Sequence, residues 1–160
     1  MLIPRKSINL TQEIADSLFA ECNKTYFNNK LKKIPIILVS DIKNNGMFKF
    51  DIDLEHNTYT NMRIELSTGH RRTMDLYKNT MIHELTHYMV LAELTDKKKS
   101  ESIEYYRDGL IDKFEKLLLI GQYAHTGKWK KTIQKINNTY HRDINIPEIE
   151  DDIKRSNRLT

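Results

Sequence analysis

Apolar residues first recur at helical spacing near the start of the chain. Leu10, Ile14, Leu18, Phe19 and Cys22 share one face of "LTQEIADSLFAECNKTYF", which predicts a helix capped by Ser7 or Asn9. The polar run "NNKLKKIP" ends it. The β-branched stretch "IPIILVSD" (34–41) then reads as a buried strand, and "NNG" (44–46) as a turn. Two alternating segments follow, "MFKFDID" and "TYTNMRIELS" (58–67), the second burying Met62, Ile64 and Leu66 on one face. From 73 to 94 the pattern becomes helical and apolar nearly all round, until "TDKKKS" closes it. Ser100 is placed to cap a long helix through "ESIEYYRDGLIDKFEKLLLIGQ", with Gly121 as its stop. "GKWKKTIQKINNTY" predicts a last helix before a polar tail (141–160).

Strands grouped together and followed by helices predict an α+β fold. Helices would pack on one face of a small three-stranded antiparallel or mixed sheet. The 160 residues suit a single domain (1–160) with a core over about 8–140. A composition of 39% hydrophobic and 30% charged residues is globular but polar. The net charge of +4 is compatible with polyanion contact without demanding it. One cysteine, Cys22, excludes an intramolecular disulfide and a cysteine-only zinc site. Nothing in the sequence resembles a signal peptide or approaches the roughly 20 apolar residues of a membrane span, which makes an intracellular, cytoplasmic protein the expectation.

The apolar helix contains "HELTH". His83 and His87 stand four residues apart, so on a helix they share a face and can converge on one ion. Glu84 projects about 100° away from His83, beside that ion, where a general base must sit. Zinc suits neutral imidazole donors and hydrolytic chemistry without redox change, and it brings the pKa of bound water down to about 7. The alternative is a histidine pair satisfied by hydrogen bonds in a core. An ionised Glu84 among Met81, Ile82, Leu85, Tyr88, Met89, Val90 and Leu91 would then lack the strong partner that a cation supplies. A catalytic zinc needs a third protein ligand and an open fourth position. The sequence offers two: His125, in the loop before the last helix, or Glu104, with Asp108 one turn further on to support a ligand.

"HELTH" followed by "AHTGKWKKTIQKIN" resembles the SprT-like (Spartan-type) zinc metalloprotease family, in which a third histidine opens the helix after the HExxH helix. "YFNNKLKKIPIILVS", the Gly-Met-Phe of "NNGMFKF" and "MRIELS" fall in the family's order, so the resemblance covers roughly residues 10–140. It implies a zincin-like fold with one zinc ion on His83, His87 and His125, and Glu84 as the general base of a metalloendopeptidase. Its substrate would be a protein or peptide, lying extended along "TNMRIELS" as an edge strand. This chain departs from the pattern in three ways: Thr126 separates His125 from Gly127, the stretch between His87 and His125 is longer, and the C-terminal zinc ribbon is absent. A zinc-binding module without catalysis and a hydrolase of non-peptide amides are the other readings of the motif.

Tyr123, Tyr140 and His141 are candidate donors to an oxyanion, though each reads more readily as structural or exposed, and none is singled out. Arg71, Arg72, Lys97 to Lys99, Lys128, Lys130, Lys131 and Lys135 could border a cleft and suit DNA-associated substrates, or serve as ordinary solvated surface. Trp129 is expected to pack the last helix onto the core and hold His125 in place.

Overall fold

The computed structural model describes residues 6–40 and 43–147, in the order β1 (Ser7–Ile8), α1 (Gln12–Phe27), β2 (Ile36–Val39), β3 (Gly46–Asp53), β4 (Thr58–Ser67), β5 (Arg72–Thr73), α2 (Met74–Ala92), α3 (Asp96–Arg107), α4 (Ile111–Leu118), a 3-10 turn (Gly121–Tyr123) and α5 (Gly127–Tyr140). The class is α+β. Two compact units divide it, one built on the chain up to Phe50 and on Asn61–Leu85, the other on Asp51–Thr60 and the chain from Thr86. The helix α2 and the β3–β4 hairpin run continuously from one to the other.

In the first unit α1 is capped by Thr11, whose hydroxyl accepts the Ile14 N–H. Ser7, one of the two expected caps, lies instead in β1, paired antiparallel with β5 (Ser7↔Thr73). Ala15, Leu18, Phe19 and Cys22 carry the buried face. Past the left-handed cap at Asn28, the buried Asn23 clamps the returning chain: its amide donates to the Leu31 carbonyl, and its oxygen accepts the Leu31 N–H.

The three expected strands form one mixed sheet in the order β2-β4-β3. β2 runs parallel to β4 with Ile36↔Ile64 and Leu38↔Leu66 in register. The Ser67 N–H donates to the Asn45 carbonyl, so the start of β3 lies against the end of β4 and the two form an antiparallel hairpin. This order corrects the placing of "TNMRIELS" at the sheet edge. β4 is hydrogen-bonded on both sides, and β3 is the edge strand next in the order. Nor is β2 fully buried: only Ile36 is inside, because the strand is itself an edge.

In the second unit the expected single helix over 100–121 is two. Thr95 caps α3, its hydroxyl accepting the Lys98 N–H, so the lysines expected in a terminator sit in the first turns of a helix. Gly109, at φ +73°, breaks the run. Leu119, also left-handed, ends α4 two residues before Gly121. Ser102 of α3 shares a buried hydrogen bond with Tyr59. Phe114, Leu118, Trp129, Ile133 and Ile136 form the apolar interior. The expected polar tail contains a core residue: Ile144 is buried, and Asn137 grips its backbone N–H and carbonyl as Asn23 grips Leu31. The rest of that tail, 148–160, lies outside the described residues. No helix among the described residues is long and apolar enough to cross a membrane.

Candidate metal centre

Helix α2 begins where the Thr73 hydroxyl accepts the Leu76 N–H. From Thr80 to Leu91 every residue is buried except His83 and His87. The helix is thus inside on all sides but one narrow stripe, and that stripe carries two imidazoles one turn apart. Such a pattern explains how a segment apolar all round can still offer polar chemistry at a fixed place.

Glu84 is positioned by the sheet. Gly46 opens β3 directly against α2: a Cβ there would stand 2.8 Å from Thr80 Cγ2, 3.1 Å from the Glu65 carbonyl oxygen and 3.4 Å from Glu84 Cγ. Only a residue without a side chain allows this approach. Two residues on, the backbone N–H of Phe48 donates to the Glu84 carboxyl group. The side chain is 6% exposed, and one of its oxygens lies 3.9 Å from His83 Nε2. Burial pushes its pKa up to about 8, and the Phe48 N–H works against that rise.

His125 comes from the loop between the 3-10 turn and α5. Its backbone is left-handed at φ +65°, a conformation histidine adopts more readily than most residues. The Thr126 hydroxyl donates to the Tyr123 carbonyl at 2.6 Å, tying down the turn that follows. Gly127, at φ +55°, starts α5 with a virtual Cβ 3.3 Å from Leu119 Cδ1, so this glycine is needed for both its backbone and its packing. Trp129, fully buried, stacks on the His87 ring at 5.3 Å and meets the His125 ring edge-on at 4.6 Å. The two imidazole centroids are 5.1 Å apart. One indole therefore supports two of the three imidazoles.

The resulting group is His83, His87 and His125, with one ligand nitrogen from each lying within 4.8 Å of the others. Nitrogens bound to a tetrahedral ion at about 2.0–2.1 Å lie roughly 3.4 Å from one another, so small ring rotations bring these three into range. The donor set fits a divalent metal with one position left for water or substrate. A cation there also changes the account for Glu84, because nearby positive charge favours the ionised carboxylate that burial disfavours.

The other candidates are placed elsewhere. Glu104 and Asp108 are exposed at the end of α3 and take no part in the cluster, which is the one group of three such donors among the described residues. The Tyr123 hydroxyl donates to Asp112 at 2.8 Å, and Tyr140 and His141 are exposed at the far end of α5. Lys128 pairs with Glu93. Arg71, Lys97, Lys98, Lys130, Lys131 and Lys135 are exposed, and Lys99 is half-buried. Arg72 is part-buried and tied into the fold. Two contributors escaped the sequence reading, Gly46 as a contact to α2 and Phe48 as a backbone donor. The signal that was available is the glycine at the head of an alternating strand.

No protein-family model, no curated protein and no solved structure matches this chain.

Proposed function

We propose that the chain is a zinc-dependent metalloendopeptidase. The observation that carries this reading is the convergence of His83, His87 and His125 at one point, with a buried carboxyl group beside it on the same helix. The resemblance of "HELTH" and "AHTGKWKK" to the SprT-like family supports it. Bound zinc would supply Lewis acidity, both to a substrate carbonyl and to the attacking water. Glu84 then takes the proton of that water and later hands it to the departing amine. Its burial makes it a stronger base than an exposed glutamate, and the Phe48 N–H fixes which way it faces. His83 and His87 are held by the helix, and His125 by the Trp129 ring, so neither ligand geometry nor base position must be assembled during the reaction. The substrate would add to β3, the edge strand whose backbone already reaches Glu84.

The test is cleavage of casein, and of the protein itself, by zinc-loaded wild type and Glu84→Gln, with and without single-stranded DNA. Loss of cleavage in the variant is expected. Equal cleavage by both removes Glu84 from the chemistry, and no cleavage by wild type favours a zinc-binding module. Stimulation by the DNA would extend the proposal to DNA-associated substrates.

A further inference from the structure

Arg72 is a cation that the fold ties to α2 at Thr80, one turn before Glu84. It lies in β5, immediately before α2, and its Nη1 donates to the Thr80 hydroxyl at 2.7 Å. The guanidinium carbon stands 5.5 Å from the centroid of the Tyr77 ring, and Tyr77 is anchored in turn by its hydroxyl donating to the His70 carbonyl. These contacts fix the head group but neutralise nothing. Among the described residues no carboxylate pairs with it, and its five N–H donors have one hydrogen-bond partner, Thr80. Partial burial costs such a charge hydration, and accordingly pulls its pKa below the ordinary arginine value. A fold that holds a part-desolvated guanidinium by a hydroxyl and an aromatic face leaves its planar fork for an anion.

The placement says which anion. Thr80 precedes Glu84 by one helical turn, about 6 Å along the axis. Gly46 touches both residues, and Phe48 reaches the Glu84 carboxyl group, so the Arg72–Thr80 pair lies toward the start of β3. An antiparallel strand added to β3 runs toward that start. It therefore presents there the residues that follow the bond beside Glu84. At about 3.4 Å per residue, 6 Å corresponds to the first or second residue after that bond.

We propose that Arg72 forms an anion-binding subsite that takes the carboxylate of an aspartate or glutamate one or two residues after the cleaved bond. This rests on the metallopeptidase reading of the His83, His87 and His125 cluster.

The test compares peptides that differ only by Asp against Asn, or Glu against Gln, at those two positions. Zinc-loaded wild type, Arg72→Gln and Arg72→Lys are assayed for the acid-to-amide ratio of kcat/KM, and the same labelled peptides are bound to Glu84→Gln by fluorescence anisotropy, with and without Arg72→Gln. The expected result is a ratio of about tenfold in wild type at one of the two positions, falling toward one in Arg72→Gln and lying between in Arg72→Lys. The wild-type ratio should also shrink as salt is raised. Anisotropy should show the same order without any turnover. Should Arg72→Gln prove unstable, the wild-type ratio and its salt dependence still decide. Wild type that cleaves both members of each pair equally overturns the subsite and leaves the peptidase reading standing. Binding that prefers the acidic peptide through Arg72, in a protein that cleaves nothing, leaves Arg72 an anion site but overturns its place after a cleaved bond together with the peptidase reading. Absence of both overturns both.

Discussion

Replacing Glu84 by glutamine isolates the energetic consequence of burying a carboxyl group between β3 and α2. The substitution keeps the shape and keeps an oxygen to accept the Phe48 N–H, but removes the ionisable proton. In metal-free protein the carboxyl pKa rises from 4.5 to about 8 on folding. The folded state therefore holds a proton that the unfolded chain releases, and stability must fall as pH rises. The favourable contribution is full below 4.5 and is lost progressively until the pH passes 8. At about 1.4 kcal/mol per pKa unit, wild type should lose roughly 3.5 kcal/mol relative to Glu84→Gln between pH 5 and pH 8. Urea denaturation of both proteins in chelator, followed by fluorescence of the sole tryptophan, Trp129, measures the difference at each pH. Saturating zinc should flatten the wild-type dependence, because the cation favours the charged carboxylate. Stability curves that stay parallel within about 1 kcal/mol from pH 5 to pH 8 would refute the claim that the fold suppresses Glu84 ionisation.

Three other outcomes follow from the same geometry. His125→Ala should weaken zinc binding on the order of a hundredfold, while Glu104→Ala leaves stoichiometry and affinity unchanged; competition titration against a chromophoric chelator distinguishes them. Trp129 touches two of the three imidazoles, so zinc should change its emission and cobalt should quench it. Trp129→Ala should cost about 3–5 kcal/mol in denaturation while also loosening metal binding. Gly46→Ala forces a methyl group to within 2.8 Å of Thr80 Cγ2 and should destabilise the fold by about 1–3 kcal/mol in thermal melts.

What could be read ahead of the structure was local. The β4 boundaries, the last helix and the i, i+4 histidine pair depend on periodicity and on residues a few positions apart, and all three were legible. The division of 96–118 into two helices depended on Thr95 and Gly109. The helical pattern through "EYYRDGLIDKF" masked the second, since one glycine inside a helical pattern costs only about 1 kcal/mol. Strand order was not legible at all. Alternation in "TYTNMRIELS" marks a half-buried strand but does not say whether one or both of its edges are paired. Residue patterns alone left His125 and Glu104 both open, and only the resemblance pointed to His125, because both occur in polar local contexts and the fold is what brings one of them beside His87.

The strand-order correction bears on the chemistry. Had β4 been the edge, the strand offered to a substrate would have carried no direct bond to the base. With β3 outside, the same strand does three things: its glycine lets the backbone approach α2, its Phe48 N–H holds Glu84, and its position at the sheet edge leaves a template for an added strand. A shift of β3 by one residue would move the Phe48 donor off the carboxyl group and drive a Cβ into Thr80. On the proposed peptidase reading, strand register, base orientation and substrate register are thus one geometric variable, fixed by the close approach at Gly46. For that reason Gly46→Ala should lower turnover by more than its effect on the folded fraction accounts for. Should activity instead track the folded fraction, β3 would be a structural support alone, and the substrate would have to be bound by another edge.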